Sequence, residues 1–334
     1  MVALSILDLA PVPVGASAGD ALRRARELAQ HAERLGYNRY WMAEHHNMVG
    51  IASAATSVAL CYVGAGTSRI RIGAGGVMLP NHSPLVIAEQ FGTLEALFPG
   101  RVDLGLGRAP GTDGRTWRAM RRDPEASDRF PQDVLELQAL LGPVQEGQGI
   151  RAVPGADSNV PLWILGSSLF GAQLAAVLGL PYAFASHFAP EALMEALRVY
   201  REGFRPSAQL ARPYAMVGCN VIAAETDAEA RRLFTSQQQS FTNMLRGTRG
   251  KLAAPIVDID TYWAPHEKAQ ASRMLARSVV GSAETVRHGV QRLLDETGAD
   301  ELMVAAAIFD QGARIRSYEV LAGAMAGVGQ RVAA

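Results

Sequence analysis

A chain of 334 residues that is 49% hydrophobic and 19% charged has enough apolar material for a large core and is too apolar for disorder. Lys+Arg and Asp+Glu both number 32, so the chain offers no basic field to nucleic acid or an anionic membrane; only Lys251 and Lys268 are lysines, an arginine bias without functional content. Cys61 and Cys219 stand singly in apolar stretches without metal-type spacing, which excludes a disulfide scaffold, and the first basic residue is Arg23, so no signal peptide is visible and a cytoplasmic location is expected.

Along the chain, short apolar or β-branched runs alternate with segments of helical spacing. Strands are expected at 3–9 (ALSILDL), 39–43 (RYWMA), 70–76 (IRIGAGG), 102–107 (VDLGLG), 161–165 (PLWIL), 182–186 (YAFAS), 214–223 (YAMVGCNVIA) and 301–307 (ELMVAAA). Asp20 opens a helix that stops at Gly36, and Ser83 with Pro84 opens one that ends near Gly100. Thr226-Asp-Ala-Glu229 is a capping-box pattern, Ser282 caps a helix that runs to Gly298, and a last helix begins near Ser317. The uncharged runs 46–68 and 158–190 are broken by Asn, Ser, Gly, Gln and Pro, so they read as buried core rather than membrane spans.

Eight β/α units without a linker predict an α/β fold of one domain over 1–334, a (β/α)8 TIM barrel. The stretch 237–277, with Pro255 and Pro265, is too long for a simple crossover and reads as an insertion between strands seven and eight.

In such a barrel the chemistry gathers where the strands end. Asp8 follows the first strand, Glu44-His45-His46 the second, Gly107-Arg108 the fourth, Gly166-Ser167-Ser168 the fifth and Ser186-His187 the sixth, while Gly75-Gly76 end the third. Strands seven and eight contribute little. The Glu-His-His run can carry a proton near neutral pH or form a satisfied structural group. Neighbouring histidines on extended chain point apart, so no metal site is expected there. Gly75-Gly76 either admit a flat ligand close to the backbone or provide a curvature bulge. Gly166-Ser167-Ser168 opens a helix, where free N–H groups and hydroxyls make either an anion site, within reach of Arg108, or a plain serine cap. Trp41, Met78, Phe170 and Phe188 are candidates for lining a pocket. Gly105 to Gly111 has the spacing GxGxxxG rather than the dinucleotide fingerprint, and no G-x-S-x-G elbow occurs.

Trp41-Met-Ala-Glu-His-His46, Gly73-Ala-Gly-Gly-Val-Met-Leu-Pro80, Gly100-Arg-Val-Asp-Leu-Gly-Leu-Gly-Arg108, Pro161-Leu-Trp-Ile-Leu-Gly-Ser-Ser168 and Val280-Gly-Ser282 together resemble the bacterial luciferase-like flavin monooxygenases. The resemblance covers almost the whole chain and is greatest to stand-alone bacterial members, some of which occur in actinobacterial polyketide pathways. It implies a two-component enzyme in which a separate flavin reductase supplies reduced FMN (FMNH2). With O2 this forms a C4a-peroxyflavin that oxygenates a small organic substrate, in a setting such as antibiotic biosynthesis. It also implies a homodimer. By the same resemblance His45 is catalytic, with Glu44 or His46 setting its state. Gly75 and Gly76 share a cis peptide under the flavin ring, and Arg108 and Ser168 bind the phosphate in company with Gly166 and Ser167.

Three departures stand out: Gly107 replaces a cysteine near the flavin, Gly111 an aromatic residue and Ser167 an acidic one, which argues against light emission from an aldehyde and for altered phosphate contacts. The alternatives are an F420-dependent oxidoreductase of the same superfamily, a non-catalytic flavin-binding protein, and a metal-dependent hydrolase using His45, His82 and His187.

Overall fold

The computed structural model describes residues 2–109 and 111–326. Nine strands occur in chain order: β1 Ala3–Asp8, β2 Arg39–Met42, β3 Arg71–Met78, β4 Val102–Gly107, β5 Leu162–Gly166, β6 Tyr182–Phe184, β7 Ala215–Ala223, β8 Val279–Gly281 and β9 Glu301–Ala305. Eight of them close a parallel barrel in the order β1-β2-β3-β4-β5-β6-β7-β9, with β9 back on β1, so the chain is a TIM barrel. The ninth, β8, lies outside this ring. It continues the sheet from the far half of β7, Val221 facing Val279 and Ala223 facing Gly281, and was not foreseen.

The helices are α1 Ala18–Arg34, α2 Thr56–Gly64, α3 Pro84–Leu97, α4 Gly114–Ala119, α5 Phe130–Leu141, α6 Leu169–Leu178, α7 Leu193–Gly203, α8 Asp227–Leu245, α9 Pro265–Met274, α10 Ala283–Thr297 and α11 Gln311–Met325. In α1, Ala21, Ala25, Leu28, Ala29 and Ala32 recur on one face and are buried, as an amphipathic crossover helix requires. Its cap is Ser17 rather than Asp20: Asp20 is the third helical residue and closes a reciprocal capping box with Ser17. Thr226 caps α8 through the Glu229 N–H, and Gly298 ends α10 in the left-handed conformation. The stretch 237–277 begins inside α8, passes through a short 3-10 turn at Ile259–Thr261 and α9, and ends just before β8. Among the described residues no helix is long and apolar enough to cross a membrane.

Two apolar clusters follow from the alternation of strand side chains. The larger packs the outer faces of the strands against the helices. The smaller fills the barrel itself with Leu7, Trp41, Trp163, Ala183, Met216 and Met303, and Trp41 meets Trp163 edge-on at 5.1 Å. Below this layer, at the strand N-termini, a buried polar plug seals the barrel. Arg39 binds Glu301 at 2.8 Å and Asp103 at 2.7 Å, Arg71 binds the other Asp103 oxygen at 2.6 Å, and Ser5, Tyr214 and Trp41 donate to the same two carboxylates. The aromatic layer is therefore a floor, and any ligand enters from the opposite end.

Candidate active site

At the C-terminal ends of the strands a cavity of about 820 Å³ opens above that floor. Trp41, Met78, Phe170 and Phe188 all line it, as do Gly75, Gly76, His45, Arg108, Gly166, Ser167, Ser168 and His187. The site residues singled out in the sequence thus converge on one space, with four exceptions. Glu44, His46, His82 and Ser186 are not among its lining residues.

The Glu44-His45-His46 run divides in two where β2 ends. His45 turns to the cavity, and its Nδ1 lies 3.3 Å from the Gly111 carbonyl oxygen. A carbonyl only accepts, so Nδ1 carries the proton and the neutral ring keeps a bare Nε2. Burial, assisted by the charge of Arg249, holds the His45 imidazole below its ordinary value. The result is a neutral base at the cavity wall.

Glu44 and His46 face the other way. His46 Nε2 donates to Glu44 at 2.6 Å, His82 Nε2 lies 2.9 Å from both carboxylate oxygens, and Asn81 Nδ2 and the Met78 N–H each donate at 3.1 Å. Burial alone would raise the Glu44 carboxyl, but the bonds from His46 and His82 bring it down to about 2, and the same contact holds His46 above its ordinary value. Glu44, His46 and His82 bring one ligand-type atom each within 4.8 Å of one another, yet both imidazole Nε2 atoms are committed as donors to the carboxylate. The hydrolase alternative required His82 beside His45 and His187; His82 instead belongs to this group behind the cavity wall. Glu44 ties the β2 and β3 loops together and fixes the backbone from which His45 projects.

Asp8 is also fully engaged. It pairs with Arg314 at 2.8 Å and accepts from the Ala10 N–H and the Tyr40 hydroxyl, so the carboxylate that ends β1 is part of the framework.

Gly75 and Gly76 are joined by a cis peptide bond. The β3–β4 register slips at this point: Gly75 pairs with Gly105 and Val77 with Leu106, leaving Gly76 as the extra residue. A Cβ at Gly76 would stand 2.7 Å from the Gly105 carbonyl oxygen, and one at Gly75 would meet Leu7 at 2.7 Å. Glycines here therefore serve the bulge, and the pair also lines the cavity.

Ser168 stands at the N-cap of α6 but makes no side-chain capping bond. Its hydroxyl therefore does not satisfy the first N–H groups of this ten-residue helix, the kind of arrangement that can accept an anion. The Arg108 guanidinium lies over the Phe170 ring of the same helix at 4.1 Å. It has no carboxylate partner among the described residues, so the cation and the helix start form one anion-accepting corner.

The expectation that the seventh and eighth barrel strands contribute little is corrected by β7 and the helix after it. Asn220, on β7, donates to the His187 carbonyl at 2.6 Å, which leaves its Oδ1 to accept from Gln237 Nε2 of α8 at 2.7 Å. Both residues line the cavity, and Gln237 Oε1 and His187 Nδ1 have no hydrogen-bond partner. Burial, with the nearby His45, pushes the His187 imidazole down to about 4, so it too is neutral near pH 7. The available signal was Asn220 itself, a lone polar residue inside the run AMVGCNVIA.

A family model described as luciferase-like monooxygenase matches residues 2–301. The chain is 55% identical over 320 residues to a luciferase-like monooxygenase of Escherichia coli (strain K12), covering 96% of each. It is 36% identical over 245 residues to the N-acetyl-S-alkylcysteine monooxygenase of Bacillus subtilis (strain 168), covering 71% of this chain and 72% of that one. The crystal structure of apo-MsnO8 superposes with a TM-score of 0.91 at 38% identity, covering 98% of this chain and 99% of that one.

Proposed function

The chain belongs to the luciferase-like monooxygenase family, and from that premise we propose that it is a two-component monooxygenase that takes FMNH2 from a separate flavin reductase and oxygenates a small organic molecule with O2. The observation that carries this reading is the convergence, in one cavity above an apolar floor, of side-chain-free backbone at Gly75-Gly76, an uncapped Ser168 with Arg108, and a neutral His45. Arg108, Ser167, Ser168 and the N–H groups at Gly166 and the α6 start would hold the phosphate, and the bare Gly75-Gly76 backbone would lie against the flat ring. Reduced flavin, when bound, supplies the electrons that activate O2.

The remaining steps fall to the protein. Trp41, Phe170 and Met78 keep water from the reacting atoms. His45, a lining residue whose Nε2 has no hydrogen bond among the described residues, takes or returns a proton there, and Gly111 fixes its tautomer. Glu44, with His46 and His82, positions His45 without touching the reactants. The reaction class also agrees with the monooxygenase activity for which the Bacillus subtilis relative is named. Anaerobic titration with FMNH2, followed by rapid mixing with oxygenated buffer, tests the reading. Saturable binding of FMNH2 and an oxygen reaction slower than that of free flavin are expected, and an absence of FMNH2 binding overturns it.

A further inference from the structure

Four cationic side chains line the cavity, and one of them, Arg314, is neutralised by Asp8. Arg108, Arg249 and Lys251 have no carboxylate partner among the described residues, and Asp8 is the only acidic residue among those that line the cavity. The unneutralised cations lie on separate arcs of the mouth. Arg108 follows β4, beside the start of α6. Arg249 and Lys251 sit on the loop after α8, and that loop is pinned to the segment after β1: Val14 donates to the Leu252 carbonyl at 2.8 Å, Leu252 to that of Val12 at 2.9 Å, and the Lys251 ammonium to that of Ala16 at 2.7 Å. In the closed ring β1 and β4 are three strands apart, so the two cationic groups belong to different parts of the mouth.

The surroundings of the two arcs differ as well. Arg108 is joined by two hydroxyls and a helix N-terminus, a cradle suited to a phosphate. Among the described residues Arg249 makes one side-chain hydrogen bond, to the Met48 sulfur at 3.7 Å, and the wall of the same cavity carries the apolar Val49, Phe241 and Met244 together with Ser240 and Asn243. A guanidinium fork without a carboxylate partner, lining a cavity that also carries many apolar side chains, matches a planar carboxylate on an apolar body. We propose that Arg249, aided by Lys251, receives a carboxylate of the organic substrate, so that the substrate class is an apolar carboxylic acid held with its body toward His45. This rests on the flavin reading, which assigns Arg108 to the phosphate.

The test uses the full chain saturated with FMN, at low ionic strength, and compares 3-phenylpropionate with its uncharged amide by calorimetry. The acid should bind about tenfold or more tightly than the amide. Arg249→Met should abolish that preference while the affinity for FMN stays unchanged, and Arg249→Lys should restore part of it. Equal binding of acid and amide by the unmodified protein, or a preference that survives Arg249→Met, overturns the proposal. A loss of FMN affinity in Arg249→Met also overturns it, because the phosphate would then occupy this arc. If FMN itself does not bind but an Arg249-dependent preference for the acid remains, the carboxylate site stands independently of the flavin reading, which the FMNH2 titration decides.

Discussion

The two ends of the barrel hold similar residue types in opposite states. At the strand N-termini, Arg39, Arg71, Asp103 and Glu301 form a neutral set in which each charge meets its opposite within about 3 Å and the remaining lone pairs accept from Ser5, Tyr214 and Trp41. At the C-termini, Arg108 and Arg249 have no countercharge among the described residues, Ser168 caps nothing, and Gln237 and His187 each leave a buried atom without a partner. The folded chain alone satisfies the first set and does not satisfy the second. The difference separates polar residues that the fold itself satisfies from those it leaves unpaired, which residue identity alone does not do.

The largest expected effect breaks the satisfied end. Arg39→Met leaves Glu301, which is 0% exposed, without a cation and Asp103 with Arg71 alone. Stripping one partner from a buried pair costs about 3–5 kcal/mol. Urea denaturation should show a loss of that size, with the FMN affinity of the remaining folded protein unchanged. A stable Arg39→Met protein would mean that the plug contributes little to folding.

At the open end the order reverses, with small effects on stability and large ones on chemistry. His45→Ala should bind flavin normally yet lower the product formed per FMNH2 oxidised by about 100-fold, the scale of a lost proton transfer. An unchanged yield with an organic substrate that the parent protein turns over would remove His45 from the mechanism. Arg108→Ala should change the unfolding free energy by no more than about 0.5 kcal/mol. Its affinity for FMN should fall about tenfold. A loss of stability without a loss of FMN affinity would place Arg108 with the framework residues instead.

Much of this was legible in the sequence, for particular reasons. The eight barrel strands carry dense β-branched or apolar runs, and the longest, β7, is buried at every position, so its run is unbroken. β8 is only three residues long and pairs outside the ring, and nothing local distinguishes Val279–Gly281 from the loop before α10. At the site, the Glu44-His45-His46 run left open how its residues divide, because which of two adjacent histidines faces the cavity depends on His82 and Gly111, far along the chain. Arg249 could not be found in advance: it lies in a stretch that reads as an insertion, and only the pairing of Leu252 with Val12 and Val14 carries it to the cavity mouth.

The smallest expected effect sharpens the comparison through pH. His187 is held neutral by burial, with its folded value near 4, while in the unfolded chain it takes a proton near 6.5. Between these values the unfolded state binds more protons, so its share of stability falls as the pH drops through that window, by about 1.4 kcal/mol per unit at most. Glu44 acts in a separate range: its folded value near 2 lies below the ordinary 4.5, so the stability it contributes is complete above 4.5 and is lost only as the pH falls toward 2. The two windows overlap only between about 4 and 4.5, which makes His187→Gln a clean test above pH 4.5. Unfolding free energies at pH 7 and pH 5 should differ less in His187→Gln than in the unmodified protein. An unaltered difference would show that His187 already exchanges its proton with water in the folded state, and that the cavity wall at β7 is wetter than an unpartnered Nδ1 implies.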